Sequence, residues 1–277
     1  MKFWQLIHTQ RALLAFALVL GMAACGGDDD DDDTNGDVNT VDELAPGNIP
    51  ATVTAVEGPE LSAQDAQAAL DLSTLPSITS DDGMGQGAIA QGQAVVSQFS
   101  TVFQYAGSSA PSYVPQASQT ITYTANGVTF KYIWSDEGDR YSFKSTISGT
   151  STQSGVTFND EEWYVAEVLK NRRSGRVEVD YSAFWDIYNQ DTGYDYDGKY
   201  LGYYIIEESG KIAIVWDSNV SYTGQGQDVV SQYEGSVIVE ADKSGQAEWE
   251  YNVGSAGYSQ TGAGCSKWDT AGSVSDC

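Results

Sequence analysis

From Gln119 almost to the C-terminus, apolar and polar residues alternate with a period of two, and this pattern limits what the chain can fold into. Val128, Phe130, Tyr132 and Trp134 alternate with Thr129, Lys131 and Ser135, and Tyr141, Phe143, Ser145 and Ile147 with Arg140, Ser142, Lys144 and Thr146. Val177, Val179, Tyr181 and Ala183 alternate with Arg176, Glu178, Asp180 and Ser182, and Ala247, Trp249, Tyr251 and Val253 with Glu248, Glu250 and Asn252. Successive strand side chains point to opposite faces, so each run reads as a strand with one wet face and one aromatic face. Asn126-Gly127 is the strongest hairpin signal, and Glu137-Gly138, Ser174-Gly175, Ser209-Gly210 and Ser244-Gly245 mark further turns. Sequential hairpins predict an antiparallel meander of about eight to ten strands, wide enough to curl into a half-barrel or barrel. Residues 159–171 carry mixed signals: Trp163, Val165 and Glu167 suit a strand, whereas Asp160-Glu161-Glu162 and Ala166 suit a helix. The surrounding meander favours a strand.

Ahead of the strands the period changes. Ser62-Ala63-Gln64-Asp65 has the form of a capping box, and Ala66, Ala69, Leu70 and Leu72 follow it, predicting a short helix that stops before Pro76. After a glycine-rich break from Asp81 to Gly87, Ile89, Val96, Phe99 and Phe103 recur at helical spacing with Val95 and Val102 beside them. This second helix should end near Gly107, and Pro111 and Pro115 mark the crossing to the strands. The expected fold class is mainly β: a helical segment (61–110) on the concave side of a large curved antiparallel sheet (111–277), with 61–277 one globular unit. Residues 26–60 are rich in Asp, Gly, Pro, Thr and Asn without an apolar period, and read as an acidic, disordered linker.

The start of the chain carries an address. Lys2 and Arg11 precede an apolar stretch from Ala12 to Leu20, which is too short to span a bilayer and reads as a signal-peptide core. Ala23, Ala24 and Cys25 follow, then Gly26, Gly27 and the aspartates Asp28 to Asp33. Leu20-Gly21-Met22-Ala23-Ala24-Cys25 resembles the lipobox of bacterial lipoproteins, with Met22 where leucine is usual. The resemblance implies removal of residues 1–24 and acylation of Cys25, and two or three chains anchor a protein stably. Gly26 after the cysteine implies an outer-membrane destination, on the periplasmic or the cell-surface face. The acidic run resembles the surface-export signals of some lipoproteins; its plainer reading is a self-repelling spacer.

Charge and composition exclude several functions. The chain carries 39 acidic and 13 basic residues, a formal charge of −26; without Lys2 and Arg11 it has 11 basic residues and a charge of −28. That balance argues against nucleic acid and anionic membrane surfaces as partners. The only histidine, His8, is lost with the signal, which excludes a Ser-His-Asp triad, histidine zinc ligation and an imidazole base. Cys265 and Cys277 read as a disulfide in an oxidising compartment, worth about 3 kcal/mol for so short a loop in the chain-entropy model. The alternative is two free thiols at a metal site. A carboxylate pair can hydrolyse glycosides, but the sequence singles none out. A non-enzymatic protein is expected.

Two acidic motifs and one aromatic set are candidate sites. Asp31, Asp33, Asn35, Asp37, Asn39 and Asp42 fall at oxygen-ligand positions of a twelve-residue calcium loop, with Gly36 at its sharp turn and Val38 at its apolar position. The stretch resembles the loops of dockerins and thrombospondin-type repeats, which implies calcium as a possible cofactor. Asp42 stands in place of the bidentate glutamate, and a solvated spacer is the competing reading. Asp186, Asp191, Asp195 and Asp197-Gly198, with Tyr188, Tyr194 and Tyr196, read as an acidic loop between strands. Phe130, Tyr132, Trp134, Tyr141, Phe143, Tyr181, Trp249 and Tyr251 either form core or line a pocket for an apolar ligand or a sugar. The helix-plus-curved-sheet outline is similar to lipoprotein carriers of the LolA/LolB type. The resulting expectation is a membrane-tethered structural or interaction module of the envelope, with apolar-ligand transport and glycan binding as alternatives.

Overall fold

The computed structural model describes residues 38–77, 85–106, 118–182, 194–224, 227–255 and 258–277. The strands are β1 (Ser118–Ala125), β2 (Val128–Asp136), β3 (Arg140–Thr150), β4 (Thr157–Leu169), β5 (Ser174–Asp180) and β6 (Tyr194–Ile206). They continue as β7 (Ile212–Gly224), β8 (Gln227–Val239), β9 (Gly245–Ser255), β10 (Tyr258–Trp268) and β11 (Val274–Asp276). All eleven pair antiparallel with their chain neighbours, in sequence order, in one sheet. The β1–β2 hairpin closes Ala125 on Val128 through Asn126 and Gly127, both at positive φ (52° and 81°) as a two-residue turn requires. The ambiguous segment 159–171 lies largely in β4, as the meander argument expected.

The sheet is open. β1 and β11 are its two edges, so the barrel alternative does not form. A small barrel closes on its own inward side chains. Here a helix occupies that face and holds the sheet apart. Helix α1 (Ala63–Ala69) starts where Ser62 Oγ accepts the Asp65 N–H at 3.0 Å. Helix α2 (Gly85–Ala106) includes Gly85 and Gly87, so the expected break does not extend past residue 84. Its buried residues Ala88, Ile89, Val95, Val96, Phe99, Val102 and Phe103 form one stripe. The helix lies across the strands. Gly92 faces Trp216 and Val237 of β7 and β8, Val95 faces Val177 and Gly202 of β5 and β6, and the Tyr164 hydroxyl of β4 donates to the Gln98 carbonyl at 3.2 Å.

Two further expectations fail at the outer face of the sheet. Residues 38–60 are not a disordered linker: they form an irregular strap across the outer face of the sheet. Val38, Val41, Leu44, Val53 and Val56 are buried there against Leu169, Tyr203, Ile205, Ala213 and Val215. Ser174-Gly175 is not a turn either; it opens β5, and the reversal lies just before it, with Arg172 at φ 61°. The segment from Asn171 to Arg176 is the clasp for the strap. The Asn171 amide donates to the Val56 carbonyl (2.8 Å) and Ser174 Oγ to that of Thr54 (2.8 Å). Buried Arg172 donates to the Leu61 carbonyl (2.9 Å) and the Glu60 carboxylate (2.6 Å). Arg173 donates to the carbonyls of Pro59 (2.9 Å) and Ile206 (3.1 Å), and Arg176 to that of Pro50 (2.9 Å). Composition failed as a guide because an irregular segment can be ordered by a neighbour that supplies its missing hydrogen-bond donors.

Strands under both layers therefore lack a wet face. Ser174, Gly175, Arg176 and Val177 are buried in succession in β5, as are Ile212 to Trp216 in β7. Cys265 and Cys277 are disulfide-bonded, with Cα atoms 5.4 Å apart, and tie β11 to β10. Arg173→Ala should cost about 2–4 kcal/mol, because it orphans the buried Ile206 carbonyl, breaks the part-buried bond to the Pro59 carbonyl and lifts the strap. Lys144→Ala, which loses only the half-exposed pair with Glu162 (3.3 Å), should cost under about 1 kcal/mol. Urea unfolding curves, with limited proteolysis of 38–61, measure both.

Candidate functional site

The aromatic set expected to line a pocket is divided by the fold. Tyr132 and Phe143 stack at 6.0 Å, Trp134 and Tyr141 at 5.6 Å, and Phe143 meets the Tyr164 edge at 5.8 Å, all on β2 to β4. Trp249 and Tyr251 lie on β9, about 29 Å away at six strand spacings. Tyr181 sits apart from both groups, 6.5 Å from Tyr200. Phe130, Tyr132, Trp134, Phe143, Trp249 and Tyr251 are all buried in the inner core, with Tyr141 and Tyr181 packed at its margin. Between the two groups, Phe99 of α2 meets the Tyr204 ring at 4.8 Å and Phe103 meets it at 6.0 Å. The set is core, and among the described residues α2 covers the inner face from β3 to β10.

Four large rings of the inner face stand opposite glycines on the adjacent strand. Trp249 pairs with Gly264, Tyr251 with Gly262, Trp216 with Gly235, and Trp268 with Gly245. A Cβ at any of these glycines would collide with its ring. Each ring thus covers bare backbone on the next strand, which fills the face and marks the register. The strand glycines were the available sequence signal, but only the register shows which ring each one faces.

The outer face carries a groove among the described residues. It has a volume of about 460 Å³ and is lined by Pro46 of the strap, Glu234 and Ser236 of β8, Glu248 and Glu250 of β9, and Ala263 and Cys265 of β10. In register, Asp217 stands opposite Glu234, and Glu234 opposite Glu250, so three carboxylates cross three neighbouring strands. Burial raises the Asp217 carboxyl above its ordinary value. Burial also raises Glu234, with the negative charges of Asp217 and Glu250 adding to it. Such a row can share protons or attract a cation. Among the described residues, however, no group of three or more His, Cys, Asp or Glu has the geometry to hold a metal ion. Alternation alone puts these acids on the outer face; their alignment needed the hairpin registers.

The other sequence candidates fall elsewhere. Cys25, Asp31, Asp33, Asn35 and Asp37 lie outside the described residues, as do Asp186 and Asp191. Asn39 and Asp42 belong to the docked strap: the Asn39 N–H donates to Glu43 at 3.1 Å, and Asp42 pairs with Lys211 at 2.7 Å. Asp195 and Asp197 are in β6, opposite Thr223 and Ser221, and not in a loop between strands. No protein-family model, curated protein or solved structure matches this chain.

Glu234→Gln tests the carboxylate row. A carboxyl whose folded pKa lies above its unfolded value adds stability below the unfolded value, and that stability is lost as the pH rises through the folded pKa. The substitution should raise the urea midpoint at pH 7, because it removes a carboxyl whose charged form burial and its neighbours disfavour. At about pH 3, below the ordinary range near 4, the two proteins should unfold together.

Proposed function

We propose that this chain is a non-enzymatic, lipid-tethered interaction module of the bacterial cell envelope. The filled inner face carries this reading. A carrier of apolar molecules needs an empty aromatic cavity, and α2 occupies that space with Phe99, Val102 and Phe103 fully buried. Glycan binding through rings needs a row of exposed aromatics. Among the described residues, the exposed large aromatics are Tyr123 and Tyr258, on the first strand and the tenth. What faces outward is hydrogen-bonding edge, acidic surface and loops, which is the equipment of a binding surface.

The lipobox-like stretch before Cys25 supports the tether. The chain docks from Val38 onward, where the Val41 N–H donates to Glu207 at 3.0 Å. Thirteen residue steps separate Cys25 from Val38, a reach of about 45 Å at full extension. The sheet end bearing the β6–β7 turn is therefore the end closest to the bilayer in chain terms.

Cys25→Ser should move the protein from the membrane fraction to the soluble fraction without changing its unfolding curve. Native mass spectrometry of the purified wild-type protein should show no non-covalently bound lipid beyond the acyl chains carried on Cys25. A stoichiometric lipid in that spectrum would establish the carrier reading in its place.

A further inference from the structure

β1 ends the sheet in a way that natural edges usually avoid. Exposed edges are commonly blunted by Lys, Pro, bulges or short length, since unpaired N–H and C=O groups recruit another strand. β1 reads Ser-Gln-Thr-Ile-Thr-Tyr-Thr-Ala: eight residues with no charge, no proline and no register shift against β2. The opposite edge is guarded differently, by the three-residue β11 tied through Cys277 to Cys265. We propose that β1 pairs antiparallel with β1 of a second copy of this chain, about a two-fold axis, to give one continuous sheet.

The inner face reaches this edge unfinished. Ile121 and Tyr123 stand opposite Tyr132 and Phe130, which are buried, yet they are themselves 42% and 41% exposed. A further strand with apolar residues at the same parity would complete the face. In the two-residue hairpin the closing pair Ala125–Val128 is a hydrogen-bonded one. The odd-numbered residues of β1 therefore bond to β2, and Thr120, Thr122 and Thr124 turn their N–H and C=O groups outward. Placing Thr122 on the axis sets Thr120 opposite the partner's Thr124, and Ile121 opposite the partner's Tyr123. Outward-facing groups then meet outward-facing groups in about six backbone bonds. The same register joins threonine to threonine and a β-branched residue to an aromatic one, both favourable cross-strand pairs.

Charge selects a copy of this chain and this edge. The whole chain carries −26, yet across β1 to β3 Lys131, Arg140 and Lys144 balance Asp136, Glu137 and Asp139. At physiological salt, charges interact over about 8 Å, so two copies meeting at this neutral end escape most of the repulsion between their acidic remainders. The pairing is isologous and closes at the dimer. It gives the interaction module proposed above a partner, but it does not depend on the lipid anchor.

The test is cysteine trapping in the full chain, made in the envelope and run on a non-reducing gel. Thr122→Cys should cross-link to a species of doubled mass, because Cα atoms at a hydrogen-bonded pair lie about 5.5 Å apart. Thr120→Cys and Thr124→Cys should each stay single, since each is about 14 Å from its own copy, and should cross-link only when the two variants are co-expressed. Thr122→Pro removes an N–H that β2 does not use, so it should leave the fold intact and halve the mass in sedimentation velocity; Thr122→Ser should keep the dimer. The same gel in a Cys25→Ser background separates this inference from the tether, and a soluble dimer there supports pairing without an anchor. Equal cross-linking at all three positions, a wild-type monomer at every concentration, or a ladder of higher oligomers would each overturn it.

Discussion

Three buried guanidinium groups, those of Arg172, Arg173 and Arg176, hold the strap to the sheet, and the two-sided burial of the central strands depends on them. The strap has no ladder of its own, so its carbonyls need donors from elsewhere. Arginine suits this role because its rigid fork offers several N–H donors in one plane and is less strongly hydrated than an ammonium. The clasp also fixes close packing. A Cβ on Gly58 of the strap would come within 2.5 Å of Arg173 Nε, and Gly58 holds a φ of 130°. In a chain with only 13 basic residues, Lys170 and these three arginines stand within one short stretch of sequence.

The inner face is solved by different physics. Helix α2 has no charged residue. Its Phe99, Phe103 and Val95 press onto β5 and β6 where Gly175 and Gly202 leave room. Farther along, large rings cover the glycines of the next strand. Trp163 Nε1 finds Ser145 Oγ at 2.7 Å and Trp268 Nε1 the Lys243 carbonyl at 2.9 Å, so these two rings bury area with their donors paired, whereas buried Trp216 Nε1 has no partner among the described residues. The wall that could have formed a ligand cavity is thereby spent on cohesion. The sheet's edges and outer surface stay outward-facing, and the carboxylate row and the uncharged β1 lie there.

Much of this was legible in the residues themselves. Period-two alternation, Asn126-Gly127, the Ser62 cap and the apolar stripe from Ile89 to Phe103 each follow from local sterics and side-chain periodicity. They predicted a helical segment on a wide antiparallel sheet. The openness of the sheet, the strap, the division of the aromatic set and the alignment of Asp217, Glu234 and Glu250 came from the tertiary structure alone. Each depends on which distant segments meet. Alternation says which face a side chain points to; it does not say which strand lies opposite, or what covers that face. Residues 38–60 look unfoldable in isolation because the donors that order them stand more than a hundred positions later, at 171–176.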